Sequence, residues 1–190
     1  ASASSACEMV TELIEYIGTS IVGKVEAEAL LAGIMLDTHN FVLRTSARTF
    51  EASAFLRASG AEPVDVSRFF ADSMETYKSR ADIVSRAQIY GDCAISYANG
   101  GAAETRMAAA QAADELLTIA GVGASFVMYG DEQKVNISAR SYGALNVQLV
   151  MEELGGGGHQ TMAAAQIKDV TFEDAAKQLI DAITTVKDSI

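Results

Sequence analysis

The strongest constraint on the fold of this chain is a run of four glycines, Gly155, Gly156, Gly157 and Gly158, followed directly by His159. Because glycine has no Cβ, the backbone here can take positive φ values and come very close to a ligand. Successive N–H groups in such a loop can form a concave site for an anion. The imidazole of His159 can exchange protons with a phosphate oxygen near neutral pH. The run therefore predicts a loop that binds a phosphate or a nucleotide.

A second polar segment, residues 140–146, precedes the glycine run and favours the same chemistry. Residues 134–140 alternate between apolar and polar side chains, which predicts a strand that carries Arg140 to its end. The guanidinium of Arg140 can clamp a phosphate through its planar fork of donors. Other candidate binding residues in this segment are Ser141, Gly143 and Asn146. The alternative is that Gly155 ends a helix and that the glycine run is a plain flexible turn.

Helix-like and strand-like patterns alternate along the chain and predict an α/β (α+β) fold. Helices are predicted over residues 4–17, 24–36, 49–59, 64–88, 103–120, 144–154 and 171–186, and strands over residues 88–98, 124–129, 134–140 and 162–167. The charge-rich helix before residue 88 is expected to connect two domains. The predicted parts are a helical domain over 1–62, a connecting helix over 63–87, and an α+β domain with a mixed sheet over 88–190.

The net charge of −11 over 190 residues restricts the partners of this chain. A chain this acidic repels a long polyanion, so we expect no binding to long DNA, whereas one local basic site for a small phosphorylated ligand is compatible. No apolar run approaches the roughly 20 residues of a membrane span, so no membrane contact by this segment is expected. Cys7 and Cys93 lack the spacing of metal ligands and indicate free thiols in a reducing cytoplasm.

Asp37 is a candidate metal ligand because it follows a strongly apolar helix-like run, residues 24–36. An unpaired carboxylate at the end of a buried helix is costly, which favours a functional partner. The alternative is that Asp37 and Asn40 cap the helix or turn the chain. The neighbouring His39 is more simply an exposed loop residue than a ligand.

Several of these segments together resemble a known superfamily. Residues 29–38, Ala-Leu-Leu-Ala-Gly-Ile-Met-Leu-Asp-Thr, with Phe41 resemble the fourth motif of the DHH phosphoesterase superfamily. Arg140-Ser141 with Gly143 and Asn146, followed by the glycine run and His159, resembles the signature of its DHH-associated C-terminal domain. The opening residues 4–13, Ser-Ser-Ala-Cys-Glu-Met-Val-Thr-Glu-Leu, and residues 43–50 are most similar to the branch that hydrolyses cyclic di-AMP.

The resemblance implies a phosphodiesterase that uses two Mn²⁺ ions to cleave cyclic di-AMP to pApA. It places Asp37 among the metal ligands and implies a substrate-binding side made of Arg140, Ser141, Gly143, Asn146, Gly155, Gly156, Gly157, Gly158 and His159. Two alternatives are a relative of nanoRNases and phosphoadenosine phosphatases, which acts on pApA or a short oligoribonucleotide, and a non-catalytic nucleotide-binding module. The parent protein is expected to be membrane-anchored with its catalytic region facing the cytoplasm.

The remaining metal-binding motifs of the superfamily are absent, since His39 and His159 are the only histidines. The sequence therefore predicts the C-terminal fragment of an enzyme, inactive by itself and binding no Mn²⁺. Its first helix carries an apolar stripe that includes Met9, Leu13 and Ile17. Because exposed apolar surface of this kind is typical of interaction sites, we expect a homodimer formed through the N-terminal helices, or a domain swap.

Overall fold

The computed structural model describes residues 3–18, 22–131 and 133–189. It divides the chain into two compact units, Ala1–Ala71 and Asp72–Ile190, here called the N-terminal and C-terminal units. The described part of the N-terminal unit contains the helices α1 (Ala6–Ile17), α2 (Lys24–Asp37), α3 (Ala47–Ala58) and α4 (Pro63–Arg68). The boundary between the units falls inside the segment 63–87 that the sequence predicts as a connecting helix.

Local capping explains where the N-terminal helices begin. The side chain of Ser5 accepts a hydrogen bond from the N–H of Glu8 and caps α1. Pro63 occupies the first turn of α4, where its missing N–H costs nothing. The core of this unit is apolar and consists of Ala27, Leu31, Ile34, Ala52, Leu56, Ala61 and Val66.

The carboxylate of Glu8 is fully buried and ties α1 to α3. Its Oε2 atom accepts hydrogen bonds from the N–H and hydroxyl of Ser4 and from the hydroxyl of Thr49, the last at 2.8 Å. Burial alone would raise the pKa of Glu8, but these hydrogen bonds and the nearby charge of Arg48 hold the pKa below its ordinary value of 4.5. The ionised form of Glu8 is therefore the one that the folded state stabilises.

Glu8→Gln is expected to lower the free energy of unfolding of the N-terminal unit by about 1–2 kcal/mol at pH 7, since it removes charge-assisted hydrogen bonds. Because the folded pKa is lowered, this contribution is complete above pH 4.5 and disappears as pH falls through the folded pKa. Hydrogen exchange of the α1 and α3 amides at pH 7, 5 and 3.5 measures it. A difference between wild type and variant that grew on acidification would contradict this account.

The apolar stripe of α1 faces outward instead of into the described core. Met9, Leu13 and Ile17 are 52%, 60% and 70% exposed, whereas Glu8 and Thr11 are the buried side chains of this helix. The buried hydroxyl of Thr11 is satisfied, since it donates to the carbonyl of Cys7 at 2.7 Å. The amphipathic helix predicted from the sequence is present, and its apolar side is free to contact another surface.

The C-terminal unit, as far as the structure describes it, is a six-stranded mixed sheet with two helices packed on each face. Its elements are α5 (Met74–Ser85), β1 (Gln88–Tyr90), β2 (Cys93–Asn99), α6 (Ala103–Leu116), β3 (Ala124–Asp131), β4 (Lys134–Ser141), α7 (Val147–Glu153), β5 (Gly157–His159), β6 (Met162–Lys168) and α8 (Phe172–Asp188). The strand order is β1-β2-β3-β4-β6-β5. Of these strands, only β2 and β3 pair in parallel, and α6 makes the crossover between them.

Alternation along the strands separates two cores. One face of the sheet, with Phe126 and Ile137, packs against α7 and α8. The other face, with Val127 and Tyr129, packs against α5 and the alanine-rich side of α6. The helix α6 contacts β2, β3 and β4 but does not extend over β6 and β5, so this second face remains exposed there. The predicted fold class and mixed sheet are confirmed.

Three predicted elements need correction. The single helix over 63–87 is two helices, α4 and α5, because the side chain of Ser73 caps α5 and holds an extended backbone before it. The predicted strand over 88–98 is the hairpin β1–β2, turned at Gly91 with φ +62°. The helix predicted from residue 144 begins at Val147, after Asn146 caps it. Among the described residues, no helix has the length and apolarity that crossing a bilayer requires.

Candidate functional site

The glycine run begins as the end of α7 and continues as an edge strand. Gly155 has φ +75° and donates to the carbonyl of Glu152 at 2.9 Å, while the N–H of Gly156 reaches the carbonyl of Met151 at 2.7 Å. These bonds close the last turn of the helix, as the alternative interpretation of Gly155 expects. Residues 157–159 then form β5, which pairs antiparallel with β6. The predicted loop is therefore wrong for residues 157–159, which form a short strand at the edge of the sheet.

Three of the four glycines are required by the backbone or its packing, and the fourth is not. A Cβ on Gly156 would lie 2.2 Å from the carbonyl oxygen of Ala164, and a Cβ on Gly158 would lie 2.5 Å from the Cα of Ala163. Gly155 needs its positive φ. Gly157 has neither restriction, because nothing lies within 4 Å of a Cβ built on it. The described packing therefore gives no reason for the missing side chain of Gly157, and the space beside it is open to another molecule.

Arg140 is held by an ion pair instead of projecting freely. Its Nε donates to Oδ1 of Asp114 on α6 at 2.9 Å, and its Nη1 donates to the carbonyl of Ala139 at 3.0 Å. The Arg140 side chain is 12% exposed and that of Asp114 is 34% exposed. Of the five guanidinium N–H groups, two are used in these bonds, so three are left among the described residues. The pair fixes the orientation of the fork and partly neutralises its charge.

The other residues of the 140–146 segment shape the turn between β4 and α7. The hydroxyl of the buried Ser141 donates to the carbonyl of Leu145 at 2.7 Å and accepts from the N–H of Gly143 at 3.2 Å. Gly143 has φ +101°, a conformation that glycine adopts without strain. The side chain of Asn146 caps α7 by accepting from Gln148. Each of these residues has a structural role, and contact with a ligand remains a prediction.

The strand pairing brings Arg140 and His159 into one row across three strands. Arg140 is paired with Met162, and Met162 is paired with His159, so the three side chains lie on the same face of the sheet. The next row along the strands contains Ser138, Ala164 and Gly157, and the row after that contains Asn136 and Gln166. We call these three rows the open strip, because Met162, Ala164, Gln166 and His159 are exposed.

The open strip contains residues that the sequence did not single out. Met162 is 41% exposed on a strand, and together with Ala164 it gives the strip a largely apolar floor. Nε2 of Gln166 donates to Oδ1 of Asn136 at 2.9 Å, and Nδ2 of Asn136 donates to the carbonyl of Tyr129 at 3.3 Å. The alternation of β6 between exposed and buried residues is the signal that could have identified them.

A cavity of about 480 Å³ lies in a different part of this unit. It is bordered by the edge strand β1, its neighbour β2 and the first turn of α8, and the ring centroids of Tyr97 and Phe172 are 5.9 Å apart. Arg86 stands 5.8 Å from the centre of the Tyr97 ring. None of the predicted site residues lines this cavity. The predicted site is thus a strip on the surface of the sheet and does not coincide with this cavity.

Comparison with known proteins identifies the region that carries the strip. The family model of the DHHA1 domain matches residues 91–187, just over half of the chain. The chain belongs to the DHHA1 family. The whole open strip lies within the matched DHHA1 region, whereas Asp37 and the N-terminal unit lie outside it.

Two curated relatives match the DHHA1 chain over 95% of its length. It is 50% identical over 186 residues to the cyclic-di-AMP phosphodiesterase GdpP of Geobacillus thermodenitrificans, and 48% identical over 185 residues to the cyclic-di-AMP phosphodiesterase PdeA of Listeria monocytogenes. The chain spans 28% of the length of each. A crystal structure of an exopolyphosphatase-related protein from Bacteroides fragilis has the same fold, with a TM-score of 0.82 and 24% identity over 96% of this chain and 57% of that one.

Outside the DHHA1 region, Asp37 lies at the start of a tight left-handed turn. His39, Asn40 and Phe41 all have positive φ, from 47° to 65°, which is costly for residues with a Cβ. The hydroxyl of Thr38 donates to the carbonyl of Ile34 at 2.7 Å and accepts from the N–H of Phe41 at 3.0 Å, and so holds the turn. The turn expected for this segment is present, with strain of the kind that accumulates at functional positions.

The described residues do not fit the metal site that the superfamily implies. Asp37 is exposed, and no group of three or more His, Cys, Asp or Glu side chains among the ranges described above could hold a metal ion. Asp37 does act electrostatically, since burial and then its negative charge raise the pKa of the Cys7 thiol. A single exposed carboxylate cannot hold two divalent ions. Assignment of Asp37 as a metal ligand therefore remains a prediction.

Proposed function

We propose that the open strip of the DHHA1 domain binds a short adenine nucleotide. The observation that carries this proposal is Gly157, whose missing side chain leaves space that no described residue fills. The ligand would lie on the floor formed by Ala164 and Met162, with its phosphate near Arg140 and His159. The apolar floor suits a base, and the remaining N–H groups of Arg140 suit a phosphate. Asn146, Ser141 and the glycine backbone would position this end of the strip.

The longer protein to which the DHHA1 domain belongs is, in this proposal, a phosphodiesterase that hydrolyses cyclic di-AMP to pApA. Support comes from the 48–50% identity to phosphodiesterases of that name over almost the whole chain. The required metal ions, two Mn²⁺ in the superfamily, would be held mainly by residues outside the described chain, with Asp37 as one ligand. The 190-residue chain alone would bind nucleotide without cleaving it. The catalytic region of the longer protein would face the cytoplasm.

Calorimetry of the chain with pApA and with cyclic di-AMP, each with and without Mn²⁺, tests this proposal. We expect binding of both ligands, no dependence on Mn²⁺, and no conversion of cyclic di-AMP to pApA in the recovered samples. The matched control is the guanine dinucleotide pGpG, which has the same phosphates and a different base. Failure of both adenine ligands to bind would remove the nucleotide site, and hydrolysis dependent on Mn²⁺ would show that the chain is catalytic by itself.

The outward stripe of α1 supports a second proposal, that the chain forms a homodimer. Met9, Leu13 and Ile17 form one continuous apolar side of that helix. Burying the same helix side of two copies would remove these side chains from water at once. Sedimentation equilibrium of the wild type and of Leu13→Glu distinguishes a dimer from a monomer, and a monomeric wild type at high concentration would contradict the proposal.

A further inference from the structure

Two lysines lie opposite each other beyond the end of the open strip. Lys134 begins β4 and Lys168 ends β6, and the two are directly paired in the register of these strands. Both are exposed, and both point to the face that carries Asn136 and Gln166, because each lies two residues from one of these amides along its own strand. Like charges directly opposite each other in a sheet are destabilising. This arrangement therefore has a cost that the fold itself does not require.

The chain pairs most of its other cations with acids, as expected at a net charge of −11. Lys and Arg residues with an ion pair are Lys24, Arg48, Arg57, Arg68, Arg80, Arg86, Arg140, Lys177 and Lys187. Within the ranges that the structure describes, Lys134 and Lys168 have none. The nearby carboxylate of Asp131 accepts hydrogen bonds from the N–H groups of Gln133 and Lys134 instead. Among the described residues, neither ammonium group therefore has an ion-pair partner that would compete with a bound anion.

The side-chain amides of Asn136 and Gln166 lie between the lysines and the row that contains Ala164. Hydrogen bonds fix the orientation of both amides. Nδ2 of Asn136 is held by the Tyr129 carbonyl, so its Oδ1 faces Gln166 and accepts from Nε2. This leaves Oε1 and one N–H of Gln166 to face solvent, an acceptor beside a donor. The same combination, on Asn or Gln, recognises adenine through its amino group and an adjacent ring nitrogen.

We propose that Lys134 and Lys168 form a second phosphate subsite, and that the open strip takes a linear oligonucleotide along β6 with an adenine against Gln166. The proposal rests on the proposed function and specifies its substrate class. From the row of Arg140 and His159 to the lysine row there are six residues along β4 and β6, or about 20 Å. Neighbouring phosphates in one stacked strand are about 3.4 Å apart along the axis. The adjacent phosphates of a dinucleotide therefore cannot span the distance between the two rows, whereas the phosphates of an oligonucleotide of several residues can.

The test compares a hexanucleotide of adenosine, pA6, with pApA on the wild type and on Lys134→Ala/Lys168→Ala. Fluorescence anisotropy at several salt concentrations gives the affinities. The wild type is expected to bind the hexanucleotide at least tenfold more tightly than pApA. The double variant should lose this advantage while its affinity for pApA stays the same. The salt dependence of hexanucleotide binding should fall by about 0.7 in log–log slope for each phosphate that the lysines no longer neutralise.

Lys177→Ala is the matched control, since it removes an exposed lysine from α8, which packs on the opposite face of the same sheet. It should leave both affinities unchanged. Equal weakening of pApA and the hexanucleotide by the double variant, or no weakening of either, would overturn the lysine subsite. If pApA does not bind but the hexanucleotide binds through the lysines, the proposed dinucleotide function fails and the subsite stands. If neither ligand binds the wild type, both proposals fail.

Discussion

Gly156→Ala is expected to destabilise the DHHA1 domain by about 3 kcal/mol, although it adds one methyl group at the edge of the sheet. The new Cβ would lie 2.2 Å from the carbonyl oxygen of Ala164 and 2.6 Å from the Cα of Ala165. Both atoms belong to the backbone of β6, which is paired on its other side with β4 and cannot move alone. Relief of the clash would therefore require β5 to separate from the sheet.

Gly157→Ala is the matched control, because it is the adjacent glycine in the same run. No atom of the described residues lies within 4 Å of its added Cβ, and its φ is not in the left-handed region. Its stability should stay within about 0.5 kcal/mol of the wild type or rise slightly, since alanine restricts the unfolded chain. Urea unfolding followed by circular dichroism compares the two variants. A midpoint for Gly156→Ala equal to that of the wild type would show that β5 is not packed against β6 as described.

The same two variants separate packing from binding within the glycine run. If the open strip holds a nucleotide, Gly157→Ala fills part of the ligand's space and should weaken binding of pApA about tenfold, or about 1.4 kcal/mol, while the protein remains stable. Gly156→Ala acts on the fold first. The sequence alone cannot show which of the four glycines is needed for packing. The atoms that a Cβ on Gly156 or Gly158 would meet belong to a neighbouring strand, at Ala163, Ala164 and Ala165.

Much of the fold could be predicted from local pattern, and the exceptions have a common cause. The alternation of residues 134–140 predicted β4, and the helices predicted from residues 4 and 171 begin within two residues of those positions, as α1 and α8. β5 was missed because it has three residues and is a strand only through its pairing with β6. The division of the predicted connecting helix depends on the cap of Ser73, which a charge-rich pattern does not reveal.

For the candidate site, residue types could be predicted and partners could not. Arg140 and His159 are in one row because each pairs with Met162, 22 and three residues away in the sequence. The ion pair of Arg140 with Asp114 joins residues separated by 26 positions. Lys134 and Lys168 are opposed only through the register of β4 and β6. Such pairings follow from the topology of the sheet and leave no local signal.

Arg140→Ala is expected to weaken binding of pApA about 100-fold, which corresponds to about 2.7 kcal/mol and lies within the range for hydrogen bonds to a charged group. Arg140→Lys should recover little of this affinity. A lysine cannot keep the hydrogen bond to Asp114 and present a planar fork to a phosphate at the same time. Titration calorimetry at a fixed salt concentration measures both variants, with circular dichroism to verify that each is folded.

Weaker binding by Arg140→Ala could also arise from the fold, since the variant leaves Asp114 without the guanidinium that now faces it at 2.9 Å. Asp114→Asn separates the two causes. It removes the compensating negative charge and keeps the size of the side chain, so a phosphate-binding Arg140 should hold pApA as tightly as before or more tightly. If Arg140 only fixes α6 to the sheet, Asp114→Asn should weaken binding as Arg140→Ala does. That second result would remove Arg140 from the nucleotide site and leave the two lysines as the cationic groups of the proposed oligonucleotide path.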